Sequence, residues 1–187
     1  MKVINKHKYI LLVLVLLMSP LTGATIDIYT PAMPLVSKYF TTDKSMVQLS
    51  ITLYLIGYAV GQIVVGVLAD AIGRKPVILV CLFLYMVTTL VCTFSNSIYY
   101  FLLFRFLQGI FVSGPGVLNK AYILDVFPKD KAQRYMNYVT IAWAIGPILA
   151  PVLGGYLIEI FSWKSVFYFL IAYSLPVFSL FLFMPET

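Results

Sequence analysis

Apolar residues run in long blocks along this chain, and polar residues gather in the short stretches between them. Six blocks approach the length of about 20 residues that a helix needs to cross a hydrocarbon core. They fall at residues 9–28, 46–69, 77–94, 98–118, 138–160 and 166–184. Helices are expected in all of them, because an open strand would leave backbone groups unpaired in lipid. Little more than Ser95-Asn96-Ser97 separates the third and fourth blocks, which predicts a tight hairpin. The longer cytoplasmic connection, Asp125 to Arg134, divides the chain into three spans and three spans, a pattern of inverted repeats, although no residue-level repeat accompanies it. The predicted fold class is an all-α membrane protein, with residues 1–187 forming one six-span domain.

The start of the chain has two readings. Lys2 to Lys8 followed by an apolar run, with the small residues Thr22-Gly23-Ala24 beyond it, has the form of a signal peptide. An uncleaved first span fits better, because apolar character resumes after Ala24 and five further spans follow. Orientation comes from the bases. Lys2, Lys6, Lys8, Arg74, Lys75, Lys120, Lys129, Lys131 and Arg134 fall on one side, and Lys38, Lys44 and Lys164 on the other. This bias places both termini in the cytoplasm.

Composition narrows the function classes. Charged residues make up 11% of the chain and the mean hydropathy is +0.96, whereas a soluble domain carries about 25% charged residues. The net charge of +6 does not imply nucleic acid, since the bases are scattered singly and in pairs between apolar runs. Cys81 and Cys92 lie eleven residues apart in one span, about three helical turns, too far for a mutual disulfide. His7 is the only histidine and belongs to the leader, so no histidine triad or zinc site is expected. No phosphate-binding glycine loop is present either. No catalytic residue, metal or cofactor is therefore assigned.

Two ionisable residues fall within spans, Asp27 and Arg105. A helical rise of about 1.5 Å per residue puts Asp27 about 27 Å from residue 9, and Arg105 about 10 Å from residue 98. Both then lie in the outer half of the membrane and would meet if their helices are neighbours. A charge at such depth needs a partner or a water-filled cavity. Either the two form an ion pair that only fixes packing, or they form a proton or substrate site lining a cavity. Pro31 and Pro34 leave a further alternative open: the first helix ends at the surface, or it kinks and continues past Pro34, setting Asp27 deeper. In the second span Gly57 and Gly61 are spaced for close helix approach. Gln48, Gln62, Tyr54 and Tyr58 are candidates to face a cavity. In the fifth span Gly146, Pro147, Pro151, Gly154 and Gly155 predict a bent helix that moves or seals a cavity.

Between spans two and three stands Gly66-Val67-Leu68-Ala69-Asp70-Ala71-Ile72-Gly73-Arg74-Lys75-Pro76. With Arg105-x-x-Gln108-Gly109 in span four, the run from Gly146 to Gly155, and Asp27-x-Tyr29-x-Pro31-x-x-Pro34, it resembles the motif set of the major facilitator superfamily. More closely, the chain is similar to the N-terminal half of its bicyclomycin- and chloramphenicol-resistance branch (Bcr/CflA) of drug–proton antiporters. Ala71, Phe111, Val112 and Lys120 depart from the branch's usual residues; late in span four an arginine is common, where this chain has Lys120.

The resemblance implies one six-helix half of a larger fold in the inner membrane. It further implies proton coupling and substrate contact at Asp27, Tyr29, Arg105 and Gln108. Gating is implied at Gly66, Asp70, Gly73, Arg74 and Lys75, and an antiporter hinge at Gly146, Pro147, Pro151, Gly154 and Gly155. The implied partners are the lipid bilayer, protons, a small amphipathic drug and a second six-helix half, either a separate chain or a copy of this one. The alternative expectation is a transport-inactive remnant of such an exporter.

Overall fold

The computed structural model describes residues 2–183, with side chains from residue 10 onward. The basic side chains of the leader, His7 and the last four residues, including the expected end of the sixth span at 184, lie outside the described residues. Helix α1 covers Lys2–Asp27, and a single 3₁₀ turn, Thr30–Ala32, links it to α2, Met33–Tyr39. Then follow α3 (Lys44–Ile72), α4 (Arg74–Phe94), α5 (Ile98–Val126), α6 (Lys129–Ile160) and α7 (Ser165–Leu182). Six helical stretches among the described residues are long and apolar enough to cross a membrane, the first of them running from Ile10 to Tyr39.

The alternatives around Pro31 and Pro34 are thereby resolved. The helix does not end at Asp27 but continues through the 3₁₀ turn, because Pro31 and Pro34 occupy first-turn positions where no amide donor is needed. Two expected boundaries also shift. The fourth span was expected to stop at 118, yet α5 runs to Val126, since Asn119 and Lys120 lower the hydropathy without breaking the helix. The long connection expected from Asp125 to Arg134 shrinks to Phe127-Pro128. The Phe127 amide bonds the Ile123 carbonyl at 3.1 Å, and α6 begins directly after Pro128.

Close packing of helix pairs comes from small residues. Gly57 and Gly61 of α3 lie on the backbone of α5, and Gly109 of α5 lies on the backbone of α3 at Tyr54. A methyl group at Gly61 would stand 2.6 Å from the Ile110 carbonyl oxygen. Likewise α6 rests on α1 through Gly146, where a methyl would meet the Pro20 carbonyl at 2.8 Å, and through Gly154 over Ile28. The prolines expected to bend α6 stand inside one helix of 32 residues. At the α3–α4 turn Gly73 adopts φ 96°, a conformation that favours glycine. Cys81 packs against Gly114 of α5, and both cysteines are buried and free.

Candidate functional site

Arg105 sits about two turns into α5, on its buried face, and is 0% exposed. Its Nη1 donates to Gln108 Oε1 at 2.7 Å, one helical turn on, and Gln108 Nε2 donates to the Thr89 hydroxyl of α4 at 2.8 Å. The guanidinium also lies over three rings from three other helical segments: Tyr29 at 4.5 Å, Tyr54 at 4.9 Å and Phe167 at 5.8 Å. A desolvated cation over an aromatic face gains about 2 kcal/mol, so three faces offset part of the several kcal/mol that burying the charge costs. Nε and Nη2 have no hydrogen-bond partner among the described residues.

The rings are themselves fixed. The Ser50 hydroxyl gives its proton to the Val47 carbonyl at 2.5 Å, so the Tyr29 hydroxyl, 3.1 Å away, is left to donate to it, and Tyr54 donates to the Thr22 carbonyl at 3.3 Å. Nearby, the Thr25 hydroxyl bonds the Leu21 carbonyl at 2.6 Å, so the Tyr85 hydroxyl, 2.8 Å away, is left to donate to it. This geometry brings Tyr29, Arg105 and Gln108 together.

Asp27 is placed differently. It is half-buried at the end of α1, and no ion pair joins it to Arg105 among the described residues. The pairing offered by their depths does not form here because Arg105 turns into the aromatic box instead.

The residues expected to act in gating, from Asp70 to Lys75, stand at the end of the bundle that the charge bias assigns to the cytoplasm. Arg74, at the start of α4, forms an ion pair with Asp125 near the end of α5. Lys75 donates to the Leu182 carbonyl of α7 at 3.1 Å. Asp70 is exposed and makes no ion pair among the described residues. Gly66 on α3 and Gly155 on α6 have nothing within 4 Å of an added methyl. Around them Ile63, Val67, Ile148, Val152 and Tyr156 are exposed, so α3 and α6 present an uncovered apolar surface.

A cavity of about 360 Å³ opens between α1, α3, α5 and α6, with Tyr58, Asn119, Lys120 and Trp143 among its lining residues. Lys120, expected in a cytoplasmic connection, therefore stands inside α5 and faces this cavity. Of the other cavity candidates, Gln48 and Gln62 are exposed and Tyr54 belongs to the arginine box.

Sequence reasoning missed Thr89, Asp125, Asn119 and Trp143. Asp125 had a signal, an acid at the end of a span facing a basic turn. The adjacent polar pair Asn119-Lys120 had one too, but it read as the end of a span.

The profile described as Major Facilitator Superfamily matches residues 15–187. A "Bicyclomycin resistance protein homolog" of Haemophilus influenzae is 33% identical over 184 residues, covering 98% of this chain and 46% of that protein. "Multidrug resistance protein MdtL" of Salmonella paratyphi C is 32% identical over 145 residues, covering 78% of this chain and 37% of that one. The chain thus spans less than half the length of these curated relatives. Among solved structures, a D-xylose–proton symporter superposes with a TM-score of 0.85 at 15% identity, over 96% of this chain and 49% of the symporter. The six-span bundle accordingly has the architecture of half of that transporter. With the profile match extending over all but the first fourteen residues, this chain belongs to the major facilitator superfamily.

Proposed function

We propose that this chain forms one half of a proton-driven exporter that carries small amphipathic, drug-like molecules out across the cytoplasmic (inner) membrane. The observation that carries the reading is Arg105, a fully buried guanidinium with two unpartnered donor nitrogens in a membrane helix. A fixed cation of this kind shapes the proton affinity of any acid that approaches it, and intramembrane charges mark ion pathways. Asp27 is the acid in this role, and Tyr29 and Gln108 hold the arginine.

The resistance proteins among the relatives support the export direction and the drug-like substrate. The open surface of α3 and α6 fits a second six-helix half, supplied by a separate chain or a copy of this one. Asp70, Gly73, Arg74 and Lys75 act as the cytoplasmic latch against it, with Gly66 at the contact. The α6 segment holding Pro147, Pro151 and Gly155 rocks on α1 through Gly146 and Gly154. Transport of this kind makes and breaks no covalent bond, so the protein is not an enzyme.

The test is drug uptake into inside-out vesicles carrying this chain alone and together with a candidate second half. A drug-dependent proton movement is expected, abolished by Asp27→Asn. Unchanged coupling in Asp27→Asn refutes the assignment.

A further inference from the structure

The cavity between α1, α3, α5 and α6 carries chemistry that Asp27 and Arg105 do not use. Lys120 is exposed on its wall, within a membrane-length helix, and no carboxylate lies within ion-pair distance among the described residues. At about 33 Å from Ile98 it stands near the cytoplasmic mouth of the bundle, where a water-borne anion reaches it.

Beside it Asn119 is 3% exposed, and its orientation follows from its neighbour. The Ser19 hydroxyl donates its only proton to the Val15 carbonyl at 2.7 Å, so Ser19 can only accept from Asn119, which it does from Nδ2 at 3.1 Å. The amide is thereby fixed, and its Oδ1 is left as a buried acceptor with no donor among the described residues. Burial without a partner is unfavourable, and a donor entering the cavity relieves it. Trp143, 49% exposed, offers an aromatic face on the opposite helix.

We propose that this cavity is a subsite for an organic anion. Lys120 holds a carboxylate, Asn119 Oδ1 accepts a hydrogen bond from a hydroxyl, ammonium or amide on the same molecule, and the apolar body lies against Trp143. The volume of about 360 Å³ suits a small aromatic or branched acid. The inference rests on the export reading only for the direction of movement. It names the substrate class as anionic, where the general reading leaves charge open.

The test is calorimetric titration of the chain in phosphatidylcholine nanodiscs with three probes: 3-phenyllactate, its uncharged amide, and 3-phenylpropionate, which lacks the hydroxyl. Phenyllactate is expected to bind best. Replacing the carboxylate by the amide, or Lys120→Gln, weakens binding about tenfold, the usual scale for a charge-assisted contact. Lys120→Arg retains binding. Phenylpropionate loses about fivefold through the unanswered Asn119 carbonyl.

Because Lys120 is exposed, Lys120→Gln keeps the fold, which the helical circular-dichroism signal and melting temperature verify. Equal binding of acid and amide overturns the proposal, as does indifference to Lys120→Gln or no binding of any probe. Binding that disappears when anionic lipid is added assigns the lysine to a headgroup and overturns it as well. Loss of proton-coupled efflux with phenyllactate still bound refutes the export reading and leaves this site standing.

Discussion

Replacing Gly61 by alanine tests the contact on which the arginine box is built. The added methyl would stand 2.6 Å from the Ile110 carbonyl oxygen and 2.8 Å from its Cα, where ordinary contact begins at 3.4 Å. Both atoms are backbone, so no side-chain rotation relieves the clash. Helices α3 and α5 must part by almost an ångström. Overpacking of this sort costs about 1–3 kcal/mol, partly offset by the gain of about 1 kcal/mol that alanine brings to a helix interior. A net loss near 1 kcal/mol corresponds to a fall of about 2–4 °C in Tm for a chain of this size.

Gly66 lies five residues on in the same helix with nothing within 4 Å, so Gly66→Ala carries only the favourable term and raises Tm. The assay is thermal unfolding of both purified variants in the same detergent. Equal melting temperatures refute the packing argument. If α3 docks on a second half, Gly66→Ala stabilises this chain alone yet impairs efflux by the assembled transporter.

Other substitutions probe the charges and thiols. Arg105→Met removes a buried cation without leaving a paired acid behind, so the melting temperature holds within a few degrees while gradient-driven efflux is lost. Arg74→Ala costs less than about 1 kcal/mol, because its partner Asp125 is 42% exposed; melting in low and high salt measures it. Cys81 and Cys92, both buried, react with a water-soluble maleimide only after unfolding, as mass spectrometry reads.

Span number was legible because lipid demands long apolar blocks, a constraint that leaves its mark residue by residue. Helix ends were not, because a helix does not stop where its apolarity does. Asn119 and Lys120 face an internal cavity, so they ended the fourth hydropathy block while α5 ran on to Val126. The arginine box shows a second limit. Arg105 and Gln108 stand one turn apart and were visible as a pair, whereas Thr89, Tyr54 and Phe167 reach them from distant parts of the chain. Depth alone suggested that Asp27 and Arg105 meet. The direction in which a side chain turns is not encoded in depth, and Arg105 turns toward rings.

The box around Arg105 also bears on how the protein is made. Tyr29 and Tyr54 precede the arginine in the chain, but Phe167 belongs to α7, which is synthesised after α5. When α5 first enters the bilayer, its guanidinium therefore lacks one of its three aromatic walls. Lateral release of α5 into lipid at that stage is opposed by the charge, and arrival of α7 lessens the opposition. Biogenesis of the bundle thus has a built-in order: the cation is sealed only when the sixth span docks.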